Sequence, residues 1–359
     1  MRIAITTVAV ALFVSIVRAT AAETGAPAPV APRFLSQTGL YADAATLKID
    51  ARNRSFSPQY PLWSDGANKR RWVRLPAGSQ IDVANLEKWE LPVGTRFWKE
   101  FNFKGRKVET RFLWRVSKDR WVFASYAWNN AQTDAELASE NGIADIAEVA
   151  NGKSHSIPSV SECRSCHDSS RTEILGFNAL QLSDDRDPNA LHAEPLAAGT
   201  ITLRTLVDEN MISPPRPDLV ANPPRIEAGS PIMRTALGYL STNCGSCHNR
   251  ESSIASLGLD LKQTGTGRRE TGTTAAPECS AVGKRGHWFV PEAMEESRII
   301  NPGHPESSAL IRRVTSRRPM SQMPPIGTVI ADTDAIDLLT SWVKNNPDEW
   351  RAIVARCTA

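Results

Sequence analysis

Two short runs carry the chemistry of this chain: Glu162-Cys163-Arg164-Ser165-Cys166-His167 and Asn243-Cys244-Gly245-Ser246-Cys247-His248. Each contains Cys-x-x-Cys-His, the spacing that attaches a c-type haem. Two intervening residues set the thiols one helical turn apart, so both can add to the haem vinyl groups. The adjacent His then lies under the ring and gives iron its proximal nitrogen. Paired Cys-x-x-Cys runs also build zinc sites, and a single run can be a redox dithiol. Zinc ribbons do not require a His directly after each second Cys, and a dithiol motif is expected once, opening a helix. The repeated Cys-His ending therefore favours two covalent haems c, one on Cys163, Cys166 and His167 and one on Cys244, Cys247 and His248.

An electron-transfer iron needs a sixth ligand. For the second haem, Gln322-Met323-Pro324-Pro325-Ile326-Gly327 offers the Met323 thioether on a loop stiffened by two prolines, with Met320 as the fallback. Arg312, Arg313, Arg317 and Arg318 lie upstream, either near haem propionates or as a solvated face. For the first haem the candidates are His155, His192, Met211 and Met233. His192, in a loop downstream of the run, leads. Met211 beside Ile212-Ser213-Pro214-Pro215 follows, and Met233 is better used in packing. An open position is the remaining alternative. No catalytic acid–base pair is identifiable.

The elements that position these ligands read as follows. Arg2, the apolar run Ile3 to Val17 and Ala19-Thr20-Ala21 make residues 1–22 a secretory signal peptide. A periplasmic location follows, with no membrane span in the mature chain. A net charge of +3 is too mild to argue for nucleic acid. Cys279 and Cys357 are left over from the haem runs, and in an oxidising compartment they either pair as a disulfide or stay as separate buried thiols.

Residues 34–150 read as a β-rich domain, a sandwich or small barrel, holding seven of the ten tryptophans. Those rings fill a core more readily than a ligand face. Lys104-Gly105-Arg106 and Ser117-Lys118-Asp119-Arg120 read as hairpin connections, and Tyr60 to Ala67 as a loop that could close over the first haem. Ala131 to Glu148 reads as helix or loop, and Asp184-Asp185-Arg186-Asp187-Pro188 as an ordinary acidic turn rather than a Ca²⁺ site. Residues 151–229 and 230–359 follow as two mainly α cytochrome c-type haem domains. In the second, a helix opened by Ser230-Pro231 leads into the haem run and crosses a helix over Thr333 to Asn345, with Gly238 admitting a ring such as Trp342.

With these residues assembled, the chain resembles a family of periplasmic dihaem c-type cytochromes with an aromatic-rich β N-terminal domain. Shared features include Leu62-Trp63-Ser64-Asp65-Gly66-Ala67, Glu109-Thr110-Arg111, Leu175-Gly176-Phe177, Asn301-Pro302-Gly303-His304-Pro305 and Gln322-Met323-Pro324-Pro325. The resemblance spans nearly all of the mature chain. It implies haem binding and electron transfer and supplies no substrate. The leading expectation is an electron carrier exchanging single electrons with other periplasmic redox proteins. The alternative is a peroxidase-like dihaem enzyme whose first iron is open. A third reading makes the β domain a docking module for a dehydrogenase.

Overall fold

The computed structural model describes residues 29–150, 152–168, 174–266, 276–282, 284 and 298–358. The signal peptide expected at 1–22, and the start of the leader after it, lie outside the described residues. Residues from Ala31 to Ala359 belong to one unit.

The strands are β1 (Tyr41–Asp43), β2 (Lys48–Ile49), β3 (Arg54–Ser55), β4 (Asn68–Arg74), β5 (Ile81–Asp82), β6 (Arg96–Phe103), β7 (Arg106–Ser117), β8 (Arg120–Trp128), β9 (Ala135–Leu137), β10 (Ile143–Ala150) and β11 (Lys153–Ile157), with β12 (Ile212–Ser213) later in the chain. Six of them form one antiparallel sheet in the order β3-β4-β6-β7-β8-β9. The hairpins between β6 and β7 and between β7 and β8 fall at the expected connections, with Gly105 at φ 83° where a left-handed residue is needed.

Alternation gives the sheet two apolar faces. Trp72, Trp98, Phe112, Tyr126 and Trp128 bury one against Leu35, Leu40 and Tyr41. Val73, Phe97 and Trp121 bury the other against Phe56, Phe177 and Leu203. Most of the tryptophan density is therefore core. The sheet is open, ending at β3 and β9, so it is neither a closed barrel nor a sandwich of two comparable sheets. The segment read as helix or loop contains β9 and most of β10. Pairing of Ala135, Glu136 and Leu137 with β8 overrides the local helical preference there.

The helices are α1 (Val160–His167), α2 (Leu203–Asp208), α3 (Asp218–Ala221), α4 (Pro231–Asn243), α5 (Pro277–Ala281), α6 (Ala309–Thr315), α7 (Thr333–Lys344) and α8 (Pro347–Thr358). The region 151–229 is not a mainly α domain with its own core among the described residues. Its Ile174, Phe177, Leu182, Ile201, Leu203 and Leu206 pack into the sheet's core, and α1 buries no side chain. The first run thus rides on the sheet.

The second run has the helical surroundings expected of it. Ser230 caps α4 with Pro231 at its first turn, and Asp332 caps α7. The two helices pack through Leu237, Leu240, Leu339, Trp342 and Val343. The ring against Gly238 is Tyr60 rather than Trp342: a Cβ there would lie 2.2 Å from the Tyr60 ring. Trp342 packs instead on Trp350, centroids 4.8 Å apart. Cys279 and Cys357 form a disulfide joining α5 to α8. Among the described residues no helix is long and apolar enough to cross a membrane.

Gly238→Ala forces its methyl into the Tyr60 ring, and overpacking of this kind costs about 1–3 kcal/mol. A fall in the denaturant midpoint at unchanged slope would register that cost.

Candidate haem-attachment sites

α4 ends where the second run begins. The Cys244 and Gly245 amides both donate to the Leu240 carbonyl, at 2.9 and 3.0 Å, and the His248 amide donates to the Cys244 carbonyl at 2.8 Å. Cys244, Cys247 and His248 are thereby wound into one turn. Gly245 is required in that turn, because a Cβ would stand 2.4 Å from the Ser241 carbonyl oxygen. Burial pushes the Cys244 thiol up to about 12.

His248 Nδ1 is buried and has no partner among the described residues. Burial, and then the nearby Arg313, lower its pKa and favour a neutral imidazole, the form that binds iron. The Met323 amide donates to the Arg313 carbonyl at 2.9 Å, which docks the Met-Pro-Pro loop on the end of α6. Arg313 therefore links the half-buried Met323 to His248. Arg317 lies beside this loop with Nε and Nη1 buried and unpartnered. Met320, the fallback, is 89% exposed. An unpartnered imidazole nitrogen, a guanidinium with two nitrogens unpartnered and a thioether fit an iron ring bearing carboxylates.

The first run forms α1, closed at its start by a reciprocal cap. The Glu162 amide donates to Ser159 Oγ at 3.2 Å and the Ser159 amide to Glu162 Oε2 at 2.8 Å. The His167 ring lies 5.2 Å from Phe123 of β8, and the Arg164 guanidinium stands over the same ring. α1 thus lies across the sheet with Cys163 and Cys166 in the field of Arg111 on β7.

Beside it runs a buried charge network. His155, 2% exposed, faces Asp65 Oδ2 through Nδ1 at 3.1 Å and Glu109 Oε2 through Nε2 at 3.3 Å. Arg111 grips Glu109 with two hydrogen bonds of 2.7 and 3.1 Å. Burial alone would raise the Glu109 carboxyl, but Arg111 and His155 hold it down at about 2. Burial alone would lower His155, and hydrogen bonds to Asp65 and Glu109 reverse that and raise it.

The two runs come close. The Cys166 and Cys247 thiols are near enough to perturb one another, lowering Cys247 and raising Cys166. Nothing in the spacing announces this nearness, since more than seventy residues separate the two.

The run Tyr60 to Ala67 lies over the second site's elements rather than closing on the first alone. The Trp63 amide donates to Asn243 Oδ1 at 2.8 Å, and Asp65 Oδ1 accepts from the Val329 and Ile330 amides at 2.7 and 3.2 Å. His192, in a left-handed conformation, places Nε2 on the Asp332 carboxylate at 2.9 Å and its ring 4.8 Å from Trp63. Tyr239, on α4, lies in the field of the same carboxylate. His192 is thus held beside the second run's helices. Met211 packs against the sheet's core and Met233 is buried in the α4–α7 core. The acids of the 184–187 turn are engaged as in an ordinary loop: Asp185 by Arg225 and Arg234, Asp187 by Thr235 and Tyr60.

A family model described as Planctomycete cytochrome C matches residues 287–327. The matched stretch takes in Asn301-Pro302-Gly303-His304, α6 and Gln322-Met323-Pro324-Pro325, and neither Cys-x-x-Cys-His run. It supports a cytochrome c-type region in the C-terminal part of the chain. No curated protein and no solved structure matches the chain.

Because His155 is raised in the fold, its contribution to stability is full below its ordinary value of about 6.5 and is lost as pH rises through the raised value. His155→Gln removes the charge between two buried carboxylates, at a cost of about 3 kcal/mol. Denaturant midpoints should show a larger loss at about pH 5.5 than at about pH 9. An equal loss at both would mean that folding does not raise the His155 pKa.

Proposed function

We propose that the chain is a periplasmic dihaem c-type cytochrome that passes single electrons between outside redox proteins. One haem is attached at Cys163 and Cys166 with His167 as proximal ligand, the other at Cys244 and Cys247 with His248. The nearness of the Cys166 and Cys247 thiols, each perturbing the other, carries this reading. Two neighbouring attachment points would bring two haem edges together, and electron tunnelling falls steeply with distance. The bound haems would supply the reversible Fe(III)/Fe(II) couple.

The chain's own residues set the terms of that couple. Met323, on the loop anchored to Arg313, is the proposed sixth ligand of the second iron, and a thioether raises its potential relative to a second imidazole. Arg317, with two unpartnered nitrogens beside that loop, supplies positive charge to the same site. The Tyr60 to Ala67 run shields the second site's edge with Trp63.

One observation favours the enzyme as second reading. The four side chains raised as sixth ligand of the first iron are engaged elsewhere: His155 through both nitrogens, His192 through Nε2, Met211 against the sheet's core and Met233 in the α4–α7 core. A first iron left open would bind a small oxidant such as peroxide.

Haem content per chain tests the reading directly. The purified protein should carry two covalent haems, and Cys163→Ala/Cys166→Ala should carry one; a parent chain with one or none overturns the dihaem assignment. Met323→Ala should lose the weak far-red sulfur-to-iron band and lower one midpoint potential. An EPR spectrum with only low-spin signals and no change with peroxide supports the carrier. A high-spin signal that responds to peroxide supports the enzyme.

A further inference from the structure

The sheet face that carries α1 holds a row of like charges. Register pairs Arg71 of β4 with Lys99 of β6, and Lys99 with Arg111 of β7. Lys69 lies two residues along β4 on the same face. Adjacent strands are about 4.8 Å apart, so the row spans about 10 Å. Like charges directly opposite destabilise a sheet, and a row of three persists only with anions against it.

The anions present do not balance the row. Glu194 faces Arg71 at 3.2 Å, and Glu109 is gripped by Arg111. Lys69 donates to the Leu62 carbonyl, which bears no charge. Lys99 has no carboxylate partner among the described residues; its contact is the face of Phe101 at 4.8 Å. Arg71 Nη2 is buried and unpartnered. His155 and Asp65 offset one another. Two carboxylates thus lie against four cations, Asp332 acts on Lys69 without forming an ion pair, and Lys99 is left with no carboxylate of its own. Burial and the neighbouring Arg71, Lys69 and Arg111 depress the Lys99 ammonium well below its ordinary value, as expected of a cation lacking its anion. At the β7 end of the row Arg111 pairs with Ser125 of β8, two residues from the Phe123 ring on which His167 of α1 is seated, so the missing anion belongs beside the first run.

We infer that Arg71, Lys99 and Arg111 form an anion-binding floor for the first site and hold the two propionate carboxylates of the haem attached at Cys163 and Cys166. The inference rests on the proposed haem attachment at that run. The floor offers such carboxylates the unpartnered Nη2 of Arg71 and the Lys99 ammonium, which has no carboxylate partner among the described residues. It also explains why the first run lies on a β-sheet: the strands supply fixed cations that the short, unburied α1 cannot.

Lys99→Gln in the full haem-loaded chain tests this, with Lys99→Arg as the charge-keeping variant and the exposed Lys48→Gln as control. After haem counting, both midpoint potentials are measured by spectroelectrochemical titration. Lys99→Gln should shift one potential downward, because a positive charge beside the ring favours the ferrous state. The shifted potential should be the one missing from Cys163→Ala/Cys166→Ala. Lys99→Arg should restore it and Lys48→Gln should leave both in place. Loss of the first haem alone in Lys99→Gln, with retention in Lys99→Arg, also supports the floor. Two loaded haems with unmoved potentials in Lys99→Gln, or a shift confined to the second haem, overturn it. If Lys99→Gln does not fold, Arg71→Gln is read in the same way. A parent chain without haem at the first run overturns the functional reading instead, and haem counting alone reveals that.

Discussion

The buried carboxylate of Asp65 ties three distant parts of this molecule to one another. One oxygen accepts the amides of Val329 and Ile330, just beyond the Met-Pro-Pro loop, and the other faces His155 on β11, which leads into α1. A buried carboxylate is tolerated only when its lone pairs are met by donors or charge. Here the donors come from segments 264 residues away on one side and 90 on the other. Asp65 sits at φ 52° and Gly66 follows at 76°, a tight left-handed bend that turns the carboxylate inward. The desolvation of this one group is thus met only when sheet, first run and second-site loop are all in place.

From Asp65 the network continues through His155 to Glu109 and Arg111 and so into the charged row of the sheet. A sheet face usually alternates apolar residues toward its core. In this one the alternation holds at the level of Val73 and Phe97 and gives way, two residues along each strand, to Arg71 and Lys99. The strands therefore serve as hydrophobic wall at one end and as electrostatic floor at the other.

Much of this was legible in the residues. The cap and first-turn proline of α4, the periodicity of α7, both hairpins and the tryptophan core follow from local rules that act within a few positions. The disulfide between Cys279 and Cys357 was one of two open readings for the spare thiols. What local rules could not reach was tertiary. The edge strand β9 forms because β8 offers it a ladder, and Gly238 meets Tyr60 because the segment before β4 crosses α4. The motif alone suggests a helical domain over 151–229, but most of the region's apolar side chains pack on the sheet, and Leu180 and Ile226 pack on the α4–α7 core. The nearness of Cys166 to Cys247 and the row of cations depend on register and on chain segments far apart, which composition and spacing do not encode.

The unequal embedding of the two runs bears on how such a chain would mature. The second run closes the end of a buried helix, with Cys244 against the α4–α7 core and Gly245 against the chain at Lys262. The first lies on a short surface helix with no buried side chain. Yet all four thiols are half-buried, and Cys166 and Cys247 lie near one another. Attachment of a haem at either run would therefore have to open the same junction, so the two attachments would be coupled events rather than independent ones.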